Sequence, residues 1–178
     1  MKKIADMLTA SRGLIAGIIV LLGFGGRAAL PAVIALIIIG WTTDILDGKL
    51  ARRARTQSEP GGSIENSWLG EHDFTIDMIM VFASFVYLVV AGFIVPELAL
   101  GYILLAALFI LWSSGSKSVT ELFAFPLVAL PLIIAYSEES WVAYVYIGWV
   151  ILALILGWQR FIGVVREFID GVKSLRKT

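Results

Sequence analysis

The sequence predicts an all-α, polytopic membrane protein with six transmembrane helices. Of its 178 residues, 59% are hydrophobic, well above the roughly half apolar content of a soluble domain. The apolar residues fall in six long runs separated by short polar or Gly/Pro-bearing turns. Each run approaches the about 20 residues that a helix needs to cross hydrocarbon. Basic residues gather on one side of the resulting arrangement.

The first run, Leu8 to Phe24, is interrupted by Thr9, Ser11 and Arg12 and ends at Gly23, Gly25 and Gly26, which read as a turn. The second starts near Ala28, carries Pro31 in its first turn, where a missing N–H is tolerated, and stays apolar to Trp41. It then enters Thr42-Thr43-Asp44 and reaches the opposite interface near Asp47. Arg52, Arg53 and Arg55 follow, and residues 56–69 form a polar loop around Pro60-Gly61-Gly62. The third span begins near Asp73 and runs to about Phe93, with a turn at Pro96-Glu97. The fourth covers Leu98 to Trp112, and Ser113 to Ser118 forms the next loop. The fifth, Val119 to Tyr136, contains Pro126 and Pro131, which should kink it. Ser137-Glu138-Glu139-Ser140 turns the chain into the sixth span, Trp141 to about Trp158. This span continues into an amphipathic basic tail, about residues 160–178, suited to lie on anionic headgroups or join a dimer contact.

Six spans put both termini, and the loops after spans two and four, on one face. Thirteen of the 14 basic residues fall there, leaving Arg27 opposite, so the positive-inside rule makes that face cytoplasmic. Trp41, Trp112, Trp141 and Trp158 lie near span ends, where tryptophan anchors to the interface. The N-terminal residues lack a signal-peptide cleavage pattern, so the N-terminus is expected to be retained. The expectation is a single integral domain, residues 1–178, in the cell's inner membrane or its equivalent. Its functional stretch is residues 44–77.

That stretch carries four aspartates at one membrane edge. Asp44 and Asp47 are three apart and Asp73 and Asp77 four apart, so on helices each pair projects from one face. Carboxylates within a span cost roughly 2.5–3.5 kcal/mol each at its centre on insertion scales, and they repel one another. Something positive must compensate. Pairing with Arg52, Arg53 and Arg55 is one solution; a pair of divalent cations set for displacement at phosphorus is the other, and it predicts a phosphate-bearing substrate. The chain has no cysteine, which excludes disulfides and zinc-thiolate sites, so the ions would be hard ones bound by oxygen, Mg²⁺ or Mn²⁺. Arg52, one turn past Gly48, could hold a phosphate oxygen. Zero net charge gives no support for a nucleic-acid partner.

Asp44-x-x-Asp47-Gly48-x-x-Ala51-Arg52 resembles the first half of the signature of the CDP-alcohol phosphotransferase family, D-x-x-D-G-x-x-A-R, and matches it at every fixed position. The resemblance implies a six-helix membrane enzyme, usually a homodimer. Such an enzyme uses two Mg²⁺ or Mn²⁺ ions to transfer a phosphatidyl or similar group from a CDP-linked donor to an alcohol, releasing CMP. Carried over residue by residue, it makes Asp44, Asp47 and Asp73 the principal metal ligands, with Gly48, Ala51 and Arg52 holding the CMP and its diphosphate. Asp77 is implied as both ligand and base for the acceptor hydroxyl.

The second half of the signature departs from the family pattern. Asp73 lies 21 positions past Arg52, a loop longer than usual by eight; Glu65 and Leu69 stand where the family's second pair would fall. Asp73 and Asp77 are preferred because they head an apolar span. Gly70 is three places before Asp73 rather than four. At the start of the chain, Ile4-Ala5-Asp6-Met7-Leu8-Thr9-Ala10-Ser11-Arg12 is similar to the I-P-N-x-L-T-x-x-R opening of phosphatidylglycerophosphate synthases, which tilts the acceptor toward glycerol 3-phosphate. Thr9 and Arg12 equally read as a helix start and a snorkelling cation. Lys117 and Arg160, at cytoplasmic span ends, are candidates for the acceptor's phosphate, or simple topological punctuation. His72 reads as a solvated loop residue. A different acceptor, an inactive family member and a cation pathway built on the aspartates stay open. The last does not explain Gly48-x-x-Ala51-Arg52.

Overall fold

In the computed structural model, the described residues are 2–57 and 73–175, with side chains described for 7–46, Gly48, 74–159, 161–163, 165–166 and 168–170. They form six α-helices and one 3₁₀ segment, and no strand occurs among them. Three stretches are long and apolar enough to cross a membrane: Met7–Leu46, Lys117–Glu138 and Ser140–Gln159; Phe74–Val90 and Pro96–Trp112 are shorter apolar helices. The chain is an all-α polytopic membrane protein. It packs as two compact units that divide after Tyr87.

In the first unit the 40 residues of Met7–Leu46 fold back on themselves. Helix α1 spans Lys2–Leu22, a 3₁₀ segment Gly23–Ala29, and α2 Leu30–Gln57. The reversal turns on Gly26, at φ 65° and ψ −153°, a region open essentially to glycine alone. Pro31 stands second in α2, where its missing N–H leaves no bond unmade. Arg12 meets Asp44 while Ile15 lies near Gly40, so α1 and α2 are antiparallel. Helix α3, Asp73–Val90, brings Asp77 to Arg12, Met80 to Gly40, and the Tyr87 hydroxyl to the Gly26 carbonyl, to which it donates at 3.2 Å. It therefore runs alongside α1 and against α2.

The buried residues follow helical stripes: Ala16 and Ile19 on α1, Leu30, Val33 and Ile37 on α2, and Met80, Ser84 and Leu88 on α3. Because lipid tails are as apolar as leucine, such helices are held by close packing and not by escape from water. Gly40 sets the closest approach. A Cβ there would run into Met80 Sδ and lie 3.2 Å from its Cε. We expect Gly40→Ala to cost about 1–3 kcal/mol of overpacking, measured as thermal stability in detergent. Combined with Met80→Ala, which vacates that space, it should cost less than the two single changes together. Additivity within about 0.5 kcal/mol would show that the two do not compete for volume.

The second unit contains α4 (Pro96–Trp112), α5 (Lys117–Glu138) and α6 (Ser140–Leu175). Pro96 and Glu97 belong to the first turn of α4 and not to the turn before it; proline is pre-organised for a first helical position, and an acid there faces the positive helix end. The Tyr102 hydroxyl donates to the Phe123 carbonyl at 2.6 Å, and the Phe109 and Phe123 rings lie 5.7 Å apart, joining α4 to α5. Pro126 and Pro131 both lie inside α5. A single non-helical residue, Glu139, separates α5 from α6, and the pair closes on the small, fully buried Ala135 and Ala143. Helix α6 breaks at Gly157, φ −117° and ψ 17°. Beyond the break Phe161, Val165 and Ile169 recur at every fourth place and are exposed, the apolar stripe that an interfacial helix lays against lipid.

Candidate active site

Three apolar stripes end in charge. On α1 the buried face runs Ile19, Ala16, then Arg12 and Thr9; on α2 it runs Leu30, Val33, Ile37, Gly40, then Asp44; on α3 it runs Leu88, Ser84, Met80, then Asp77. Packing these faces together delivers the three charged groups to one place.

Arg12 stands at its centre. Its side chain is 0% exposed and its Nη1 donates to Asp44 Oδ1 at 3.3 Å and to Asp77 Oδ1. Its Nη2 donates to Thr9 Oγ1 at 3.2 Å, so the hydroxyl one turn back on α1 fixes the guanidinium's plane. Thr42 and Thr43 turn their hydroxyls onto the Ile38 and Gly40 carbonyls, at 2.6 and 2.7 Å. The hydroxyls just before Asp44 are thus engaged with their own helix. The snorkelling expectation for Arg12 is overturned, because a fully buried guanidinium held by two carboxylates has no path to the headgroups. A buried charge persists only with such partners.

Two of the four aspartates, Asp44 and Asp77, are therefore brought together from separate helices. Asp47 lies three residues after Asp44 on α2, and Asp73 is the first residue of α3; their side chains lie outside the described residues. So do those of Ala51, Arg52, Arg53 and Arg55, although their backbone belongs to α2. Gly48 is a half-buried position of α2. Glu65, Leu69, Gly70 and His72 fall wholly outside. Among the described residues no third acidic or imidazole group joins Asp44 and Asp77. Lys117 and Arg160 belong to the second unit. Lys117 opens α5 and makes an exposed ion pair, 3.7 Å, with Glu121; Arg160 is on α6 with its side chain outside the described residues.

Residues 2–159 match the family model for CDP-alcohol phosphatidyltransferase. The chain belongs to that family. No match was found among curated proteins or solved structures. As a CDP-alcohol phosphatidyltransferase it is a membrane-bound transferase of phospholipid biosynthesis, with a CDP-alcohol as donor and an alcohol as acceptor. The matched span contains both Asp44-x-x-Asp47-Gly48-x-x-Ala51-Arg52 and Asp73-x-x-x-Asp77.

Asp44 and Asp77 are the described groups that a divalent ion would use as ligands. Asp44 and Asp77 supply hard oxygen donors from two facing helices, and both aim an oxygen at the same positive group.

Proposed function

We propose that this CDP-alcohol phosphatidyltransferase transfers the phosphatidyl group of CDP-diacylglycerol to glycerol 3-phosphate, releasing CMP, at the cytoplasmic face of the membrane and as a homodimer. The observation that carries the metal-dependent, phosphate-directed chemistry is the convergence of Asp44 and Asp77 on one cation at the end of an otherwise apolar helix interface.

The acceptor hydroxyl forms a new bond to the phosphorus adjoining the lipid, and the bond from that phosphorus to the CMP oxygen breaks. CMP leaves with the electron pair; the hydroxyl's proton goes to a carboxylate. Asp44, Asp47, Asp73 and Asp77 would hold two Mg²⁺ or Mn²⁺ ions, which when bound supply neutralisation of the diphosphate's charge. Gly48 and Ala51, as small residues, would let the nucleotide approach α2, and Arg52 would hold a non-bridging oxygen by a charge-assisted hydrogen bond. Lys117 and Arg160 are assigned to the phosphate of the acceptor, which brings negative charge of its own.

The test is CMP release by purified protein supplied with CDP-diacylglycerol, Mg²⁺ and, in separate reactions, glycerol 3-phosphate, inositol phosphate and serine. Glycerol 3-phosphate is expected to support the fastest release. In that assay Glu65→Gln should stay within about twofold of wild type, since it carries no ligand in this alignment, whereas Asp73→Asn should lose about 10²-fold or more, as for loss of a preorganised electrostatic group. The reverse pattern would give Glu65, and not Asp73, the ligand's part. No CMP with any alcohol would overturn the proposed reaction.

A further inference from the structure

We propose that Arg12 is a positioning residue that acts as an internal counter-ion. It holds Asp44 and Asp77 in the metal-free protein and competes with divalent cations for the same carboxylates. This rests on the metal-dependent function proposed above and concerns a residue to which that function gives no part.

The geometry sets the competition. Arg12 comes from α1, Asp44 from α2 and Asp77 from α3, so one guanidinium ties the ends of all three helices together. Its side chain is 0% exposed, and the Thr9 hydroxyl at 3.2 Å keeps it aimed at the carboxylates. Without a positive charge there, the two carboxylates that share this guanidinium, Asp44 buried and Asp77 half-buried, would repel and push α2 and α3 apart. The metal-free site is therefore held assembled.

The same charge opposes a cation entering the site. A divalent ion bound by Asp44 and Asp77 has to share their oxygens with Arg12 or displace it, and a fixed positive group nearby is repulsive in a medium of low dielectric. Removing the charge of Arg12 acts on both states in the same direction. The metal-free form loses its counter-ion, and the metal-bound form loses a repulsion. Both changes tighten apparent metal binding. A residue that merely filled space between the helices would lower stability without raising metal affinity, which separates the two roles.

The experiment measures Mn²⁺ binding by electron paramagnetic resonance on the purified full chain in detergent, for wild type, Arg12→Gln and Arg12→Lys. Arg12→Gln is expected to bind Mn²⁺ at least tenfold more tightly than wild type. It should melt lower in EDTA, with the gap in Tm closing as Mn²⁺ is added. Arg12→Lys, which keeps the charge, should bind within about threefold of wild type. Equal or weaker binding by Arg12→Gln, or a Tm deficit that Mn²⁺ does not narrow, overturns the inference. If Arg12→Gln cannot be obtained folded in either condition, wild type labelled with ¹⁵N-arginine decides the matter. Hydrogen exchange at the Arg12 guanidinium should be slow in EDTA and accelerate as Mg²⁺ is added; exchange unaltered by Mg²⁺ overturns the inference. Wild type that binds no Mn²⁺ at all sinks the metal-dependent function as well, whereas binding by wild type with no gain in Arg12→Gln sinks this inference alone.

Discussion

EDTA is expected to abolish CMP release, with Mg²⁺ or Mn²⁺ restoring it, and Asp44→Asn is expected to lose about 10²–10³-fold of kcat/KM, the scale of removing one preorganised electrostatic group. Asp44 is buried at 7% exposure at the end of the α2 core stripe, so water cannot replace what its carboxylate holds. Arg12 offers one positive charge to Asp44 and Asp77 together, which leaves an excess of one negative charge at the pair. A substrate diphosphate makes that excess worse. Divalent ions reverse the sign, and an asparagine at 44 keeps the shape of the side chain while withdrawing its charge. The fold should survive the change, because Arg12 keeps its pairing with Asp77. Thermal stability in EDTA, compared between wild type and variant, checks this. Full activity in EDTA would remove the two-ion site from the mechanism.

Much of the architecture was legible because the helices are written as apolar runs, several of them bounded by Gly or Pro. Gly23, Gly25 and Gly26 announced the reversal between α1 and α2, and Gly26 carries the backbone angles that make it. Pro96 was read as a turn and opens a helix instead, because a proline suits both a turn and a first helical residue. The boundary between the sixth span and its tail was placed near Trp158, where Gln159-Arg160 ends the apolar run, and the helix breaks one residue earlier, at Gly157.

The site was half legible. Aspartate spacing named Asp44 and Asp77, but the group between them was left between a motif residue and a snorkelling cation. Sequence gives the depth of Arg12 in its helix; its partner depends on which face of α1 packs against α2 and α3, and that is a property of three stripes meeting. The available signal was an arginine followed by a buried, apolar stripe at Ala16 and Ile19. An ionisable group inside a span is a functional residue by default, with a partner to be sought.

Asp77→Asn is expected to cut kcat by about 10² to 10⁴-fold, the range for loss of a general base, while leaving binding of the CDP-linked donor nearly unchanged. An alcohol attacking phosphorus must give up its proton, and the carboxylate best suited to take it has lone pairs not all committed to metal. Asp73 heads α3, where the positive end of the helix favours a fixed, ionised ligand. Asp77 lies one turn further in, and its Oδ1 accepts from Arg12. That contact fixes the carboxylate's orientation at the end of the α3 stripe. Donor binding by calorimetry and CMP release should be measured on one preparation in Mg²⁺, beside Asp44→Asn. Asparagine at 77 can still take a hydrogen bond from Arg12, so the helix contact is kept while the proton acceptor is lost. A large fall in kcat with donor affinity within about threefold of wild type assigns the proton to Asp77. Loss of donor binding as complete as in Asp44→Asn would make Asp77 a metal ligand first, and the base would then have to lie elsewhere on the two carboxylate pairs.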